Sequence, residues 1–247
     1  MRRPVVLLGL VAAALLATSW TRAADSIPAG AGRVRGVVKL DGVGPKLAPR
    51  PITKDQSVCG HDAHEPVALL TDAKGGVRNA AVLLRPENGT PPAPPVGAPA
   101  LIQQNGCEYS PHVQVVPVGT KLKIVNEDDL MHNIHGYDER GETLFNLAQP
   151  LKGLTNSYTL KSPGVLRMVC DSGHPWMRAF VVAADTPWFA VTAEDGSFTL
   201  EGVPPGKYRL EIWHEYLGRS QQTVTVQASG EARVAFALRA PPEQLAK

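Results

Sequence analysis

The distribution of proline and glycine is the feature that most restricts the fold of this chain. Its 22 Pro and 23 Gly residues interrupt the sequence so often that the 3.6-residue apolar spacing of amphipathic helices is nearly absent. Between them lie short Val-rich runs, such as 33–40, 121–126 and 165–170, in which apolar and polar residues alternate. This alternation is typical of strands buried on one face. The sequence therefore predicts an all-β protein.

The first 24 residues predict a secretory signal peptide. They begin with MRR, continue with an apolar run over 5–17 and reach small residues at Ala23 and Ala24. The run is short for a membrane span, and no later segment is long and apolar enough for one. We expect the mature chain to be secreted or periplasmic, without a membrane span.

The charge of the mature chain argues against two classes of partner. Three of the 25 basic residues, Arg2, Arg3 and Arg22, lie in the signal peptide, and the chain has 23 acidic residues. The mature chain therefore has about as many basic as acidic residues, and no basic patch stands out. We expect it to bind neither nucleic acid nor an anionic membrane surface.

The sequence CDSGHPWM, residues 170–177, brings three potential metal ligands into one loop: Cys170, His174 and Met177. A thiolate, two imidazoles and a weak thioether form the ligand set of an electron-transfer copper site. His132, in MHNIH after the 121–126 strand, is the best candidate for the second imidazole. The alternative is that Cys170 and Met177 only fill the core, but four suitable donors at matching places favour a single copper ion.

The other two cysteines have a separate explanation. Three cysteines are an odd count for an exported protein, and a disulfide between Cys59 and Cys107 would leave Cys170 free. A metal site formed by Cys59, His61 and His64 (CGHDAH) is the alternative.

Three further histidines are candidates for an additional metal site or for contacts around the first one. His112 lies close to Cys107, His135 lies near His132, and His214 shares the core-facing parity of its predicted strand. For each of them we favour the simpler interpretation, a hydrogen-bonded histidine.

Motifs of several enzyme classes are absent from the sequence. It contains no G-x-S-x-G, H-E-x-x-H or phosphate loop, no C-x-x-C-H for covalent haem, and no second cluster of three histidines. We do not expect enzymatic turnover.

The stretch PHVQVVPVGTKLKIVNEDDLMHNIH, followed by VCDSGHPWM, resembles the cupredoxins, the blue copper proteins. The ligand loop is most similar to the short loop of amicyanin-like members, with one more residue between Cys170 and His174 than the shortest form. The resemblance implies a Greek-key β-sandwich that holds one type 1 copper ion through His132, Cys170, His174 and Met177.

The same resemblance implies roles for three neighbours of the ligands. Asn133 would tie the His132 segment to the ligand loop, and Pro175 would stiffen that loop. Trp176 would form an apolar patch beside His174 on which a redox partner could dock.

A second resemblance covers the C-terminal part. DGSFTLEGVPPGKYRLEIW resembles the carboxypeptidase regulatory-like, transthyretin-like β-sandwich, and RVRGVVKLDG resembles the first strand of that family. We therefore divide the chain into a signal peptide (1–24), an N-terminal β segment (25–95), a cupredoxin domain (96–184) and a second small sandwich (185–240). Whether the N-terminal segment completes the second sandwich stays open. Exported proteins that combine both parts are often labelled methylamine-utilisation-like.

The function that these patterns favour is electron transfer. A blue copper protein would carry single electrons between periplasmic redox partners, for which a c-type cytochrome or a dehydrogenase would be suitable. One alternative is a copper-binding or delivery protein without redox cycling. Another is a metal-free β-sandwich used in adhesion or carbohydrate binding.

Overall fold

The computed structural model describes residues 29–240, so the predicted signal peptide lies outside the described residues. The described part contains one short helix, α1 (Gln56–Cys59), and sixteen strands. The strands, in chain order, are β1 (Gly32–Leu40), β2 (Ala81–Pro86), β3 (Ala100–Asn105), β4 (Glu108–Ser110), β5 (Val113–Pro117), β6 (Lys121–Asn126), β7 (His132–Tyr137), β8 (Thr143–Gln149), β9 (Thr155–Thr159), β10 (Gly164–Val169), β11 (Arg178–Ala184), β12 (Phe189–Val191), β13 (Ser197–Val203), β14 (Gly206–His214), β15 (Gly218–Val226) and β16 (Glu231–Leu238). The prediction of an all-β fold is confirmed.

These strands form four sheets, arranged as two sandwiches. The first sandwich consists of a five-stranded sheet, β5-β11-β10-β7-β8, and a four-stranded sheet, β4-β3-β6-β9. The second consists of a three-stranded sheet, β13-β1-β16, and a four-stranded sheet, β12-β2-β14-β15. The expected combination, a cupredoxin-like sandwich and a second small β domain, is therefore present.

Both N-terminal strands lie in the second sandwich. β1 is hydrogen-bonded on one side to β13, antiparallel, and on the other to β16, parallel. β2 lies between β12 and β14. Within residues 29–240, the chain thus runs from the second sandwich into the first one and back again.

Three apolar clusters fill the spaces between the sheets. One is the core of the first sandwich and one the core of the second. The third joins Ala81 and Leu83 of β2 to Phe180 and Val182 of β11, while the intervening residues of both strands face the other two cores. A strand that is buried on both faces needs a continuous apolar sequence, which explains the run AFVVAA in β11. The four sheets therefore stack as layers.

The strand β10 leads into the ligand loop. Its Leu166 and Met168 face the core of the first sandwich together with Cys170, as the alternation in VLRMVC predicts. No helix within residues 29–240 has the length and apolar character needed to cross a membrane.

Candidate metal centre

Three of the predicted metal ligands converge inside the first sandwich. The Cys170 Sγ lies 3.5 Å from the His174 Nδ1 and 4.0 Å from the His132 Nδ1, and the two Nδ1 atoms are 3.3 Å apart. Both imidazoles are fully buried and Cys170 is 4% exposed. The strands β7 and β10 are antiparallel neighbours in one sheet. Because β7 begins at His132 and β10 ends just before Cys170, both residues lie at the same end of the sandwich.

The fourth predicted ligand, Met177, lies at the end of the same loop. It is fully buried in the core of the first sandwich. Its backbone N–H donates to the His174 carbonyl at 3.0 Å, which closes a tight turn around Pro175 and Trp176.

A buried carboxylate orients His132. The His132 Nε2 is 2.8 Å from the Asp128 Oδ2, and Asp128 also accepts hydrogen bonds from the backbone N–H groups of Gly106 and Cys107, at 2.7 and 2.9 Å. A carboxylate accepts, so Nε2 carries a proton, and Nδ1 is the nitrogen that faces Cys170 and His174.

A second carboxylate does the same for His174. The His174 Nε2 is 2.9 Å from the Oδ2 of Asp55, which is 119 residues away in sequence and directly precedes α1. Each ligand imidazole therefore gives one nitrogen to a carboxylate and directs the other toward Cys170.

The pKa values in the metal-free protein reflect this arrangement. Burial raises the pKa of the Cys170 thiol, but hydrogen bonds with His132, the backbone of Asn133 and His174 lower it to about 6. Burial lowers the pKa of His132, but Asp128 and Cys170 outweigh this effect and raise it to about 9. The thiolate that a soft metal requires is therefore favoured before any metal arrives.

Asn133 and Tyr109 join the elements that carry the ligands. The Asn133 Oδ1 accepts a hydrogen bond from the backbone N–H of Asp171, beside Cys170. The Tyr109 hydroxyl donates to the carbonyl oxygens of Asn133 and Val169, at 2.6 and 3.1 Å. The ends of β7 and β10 are thereby held together from both sides.

The expected surface patch at Trp176 is absent. Trp176 is 4% exposed, and its Nε1 donates to the Cys107 carbonyl at 3.0 Å. Its backbone oxygen accepts from the Arg50 Nη1 at 2.6 Å. The irregular N-terminal segment lies across the ligand loop, so His174 is fully buried and Trp176 is almost fully buried. This cover was not foreseen because it comes from a distant part of the sequence.

The predicted disulfide is confirmed. Cys59 and Cys107 are bonded, and Cys170 is the cysteine that stays free. Cys59 is therefore not available as a thiolate for the alternative site with His61 and His64. His61 is exposed and the His64 Nδ1 lies 3.2 Å from the Glu108 Oε1, so neither histidine joins Cys59 in a metal-binding group among the described residues.

Of the three further histidines, His112 lies near His214 through Glu215, whereas His135 lies beside the ligand loop. The His135 Nδ1 lies 2.6 Å from the Asp171 Oδ2, so His135 touches the ligand loop only through that carboxylate. His112 pairs with Glu215 of the second sandwich. His214 is buried in the second sandwich, where burial lowers its pKa to about 4.

Asp128 and Asp55 were not singled out in the sequence. Asp128 had a usable signal, since it lies four residues before His132 and two residues after the end of β6. Asp55 had none, because its partner is 119 residues away and the segment around it has no periodic pattern.

The donor set fits a copper ion. One thiolate and two imidazole nitrogens face one another within 4.8 Å in a buried place, and a buried thioether ends the same loop. Soft sulfur ligands combined with imidazoles suit copper in both of its common oxidation states. Magnesium and calcium prefer oxygen ligands and do not suit this set.

Comparison with known proteins finds similarity to two groups. Residues 167–239 match the family model of the carboxypeptidase regulatory-like domain. Among solved structures, the purple cupredoxin from Nitrosopumilus maritimus is 31% identical over 34% of this chain and 99% of that chain, with a TM-score of 0.30. Amicyanin from Paracoccus versutus is 18% identical over 41% of this chain and 97% of that chain, with a TM-score of 0.32.

The copper-containing nitrite reductase from Thermus scotoductus SA-01 is also similar. It is 26% identical over 39% of this chain but only 27% of that chain, with a TM-score of 0.30. No curated protein matches this chain.

Proposed function

We propose that this protein is an exported type 1 copper protein that carries single electrons. The main support is the convergence of the Cys170 Sγ with the Nδ1 atoms of His132 and His174 in a fully buried place. The ligand side chains are buried, which supports electron transfer rather than turnover.

A copper ion held by Cys170, His132, His174 and Met177 would accept and release one electron at a time. The residues around it limit how much the ligands can move. Asp128 holds one imidazole, Asp55 holds the other, and the turn between His174 and Met177 is closed by a backbone hydrogen bond. A site that keeps its geometry in both oxidation states lowers the reorganisation that accompanies electron transfer.

Other features of the chain bear on its localisation, its partners and the role of the second sandwich. The predicted signal peptide and the Cys59–Cys107 disulfide favour the periplasm or the exterior of the cell. The partners would be redox proteins, with a c-type cytochrome or a dehydrogenase as candidates. The second sandwich packs against the back of the five-stranded sheet, where it would serve as a scaffold or docking module and not as a catalyst.

Spectroscopy of the copper-loaded mature protein tests this proposal. We expect an intense visible absorption band from thiolate-to-copper charge transfer, a type 1 electron paramagnetic resonance spectrum and reversible one-electron electrochemistry. Cys170→Ser and His132→Ala should abolish the band, whereas His61→Ala, at an exposed position outside the ligand set, should keep it.

Two results would count against the proposal. Stoichiometric copper without a thiolate band would exclude a type 1 site. Tightly bound Cu(I) that cannot be oxidised reversibly would favour the delivery protein.

A further inference from the structure

The segment from Arg50 to Cys59, here called the strap, crosses the ligand loop and is attached at three points. The Arg50 Nη1 donates to the Trp176 carbonyl at 2.6 Å, and the Lys54 Nζ donates to the Ser172 carbonyl at 2.7 Å. At its end, Cys59 is bonded to Cys107. A segment with almost no regular structure is thus held against the loop by side chains and a covalent bond.

Asp55 occupies the middle of the strap in an unusual conformation. Its φ of 53° and ψ of 38° place it in the left-handed region, which non-glycine residues adopt at some cost. Its backbone oxygen accepts from the N–H groups of Val58 and Cys59, both at 2.9 Å. This turn points the Asp55 carboxylate at the His174 Nε2. The hydrogen bonds to the Asp55 backbone oxygen and to its carboxylate offset the free-energy cost of the left-handed backbone.

The strap also explains why His174 is fully buried. The outer edge of its ring ends at the Asp55 carboxylate, 2.9 Å away, while the Trp176 ring lies against it with centroids 5.3 Å apart. The Lys54 side chain passes over Gly173, the residue just before His174. The His174 ring therefore has no solvent-exposed surface.

We propose that Asp55 is a positioning residue for the ligand His174, and that the strap seals the metal centre against external ligands while still permitting electron transfer. This inference rests on the proposed copper function. Asp55 fixes the tautomer that presents Nδ1 to the metal, and its charge increases the basicity of the imidazole. The more positive oxidation state of the metal is thereby favoured, which lowers the reduction potential.

Access to Cys170 in the metal-free protein tests the seal without any copper. Cys170 is the one free thiol, so its rate of alkylation by iodoacetamide reports how often the strap opens. We expect slow alkylation in the wild type and at least tenfold faster alkylation in Asp55→Ala and in Cys59→Ser/Cys107→Ser. Asp62→Ala, an exposed position just beyond the strap, is the matched control and should react like the wild type.

Asp55→Asn separates geometry from charge. Its amide oxygen can still accept the His174 Nε2 proton, so Cys170 should stay protected and nitrogen NMR should still show His174 protonated at Nε2. With copper bound, we expect a 10- to 100-fold loss of affinity and a higher reduction potential, where each tenfold change in the redox equilibrium corresponds to about 59 mV.

Azide tests the seal in the copper-loaded protein. Added azide should leave the visible spectrum of the wild type and of Asp55→Asn unchanged, and should alter that of Asp55→Ala.

Equal alkylation rates in the wild type, Asp55→Ala and the disulfide variant would overturn the seal. An unchanged potential in Asp55→Asn would overturn the effect of the Asp55 charge, and a His174 that stays protonated at Nε2 in Asp55→Ala would overturn the positioning role. A chain that binds no copper would overturn the proposed function. The alkylation and NMR experiments need no copper, so they would still test whether the strap covers Cys170 and whether Asp55 orients His174.

Discussion

The Asp128 carboxylate joins His132 to the disulfide-bonded Cys107: its Oδ2 lies 2.8 Å from the His132 Nε2 and accepts the Cys107 backbone N–H at 2.9 Å. One buried side chain thus links a predicted copper ligand to the residue that holds the strap. These hydrogen bonds outweigh the effect of burial and keep the pKa of Asp128 below its usual value.

Asp128→Ala should therefore destabilise the metal-free protein strongly. It leaves His132 and two backbone N–H groups buried without an acceptor, and breaking a buried ion pair costs about 3 kcal/mol. Urea denaturation should show this loss in the free energy of unfolding. Asp129→Ala removes the same group from the exposed neighbouring position and should have almost no effect; equal losses in both variants would refute the assigned role.

His214 should make the second sandwich sensitive to acid. Its pKa falls from 6.5 to about 4 on folding, mainly because it is buried. The unfolded chain therefore binds more protons between these pH values, and stability decreases as the pH falls from 6.5 to 4. At about 1.4 kcal/mol per pH unit, the loss amounts to about 3 kcal/mol.

The comparison with His214→Asn isolates this effect. The His214 Nδ1 accepts from the N–H groups of Tyr216 and Leu217, and an asparagine oxygen can take its place without titrating. Urea denaturation over this pH range should show a smaller acid loss in the variant. Parallel stability profiles would mean that another group causes the loss.

Gly173→Ala should loosen the strap. Gly173 has a φ of +95°, and an added Cβ would lie 2.8 Å from the Lys54 Cδ. The flexible lysine would move aside and give up its bond to the Ser172 carbonyl, so Cys170 should be alkylated faster. Gly141→Ala, at a φ of +83° with open space around it, is the control.

Both substitutions should cost about 1 kcal/mol of stability for the left-handed backbone, but only Gly173→Ala should expose Cys170. In a Lys54→Ala background, Gly173→Ala should add nothing further to the alkylation rate. An additional increase there would show that the strap is not displaced through Lys54.

Leu83→Ala should uncouple the two sandwiches. Leu83 is 4% exposed, in the cluster that joins β2 to β11, whereas its neighbour Leu84 faces the core of the second sandwich. Each truncation should cost about 3 kcal/mol. Calorimetry should show two separated unfolding transitions for Leu83→Ala but a destabilised second sandwich for Leu84→Ala; identical traces would argue against separate roles for the two faces.

Much of the fold could be predicted from local patterns. Alternation in RVRGVVKL and KLKIVN predicted β1 and β6, and the alternation in VLRMVC placed Cys170 on the core side. The disulfide was favoured because export was expected and because the ligand loop had already accounted for Cys170, which left Cys59 and Cys107. These signals are local because strand periodicity and cysteine count depend on sequence alone.

The amino-acid sequence indicates the stacking of the sheets only weakly. AFVVAA in β11 and AAVLL around β2 are continuous apolar runs, which indicate burial on both faces but not which sheet covers the second face. The pairing of β1 with β13 and β16 depends on residues more than 150 positions apart, and no local pattern specifies such a register.

The sequence by itself indicated the all-β class, several of the strands, a favoured disulfide and a set of metal-ligand candidates, because ligand chemistry and strand periodicity are properties of the residues. Only the tertiary structure decided that His132, Cys170 and His174 meet in one buried place, that Asp128 and Asp55 orient the two imidazoles, and that the strap covers Trp176. The physical reason is that burial and hydrogen-bond partners arise when distant segments pack. Asp55 is the clearest case: nothing near it in the sequence indicates His174, yet the fold places its carboxylate 2.9 Å from that ring.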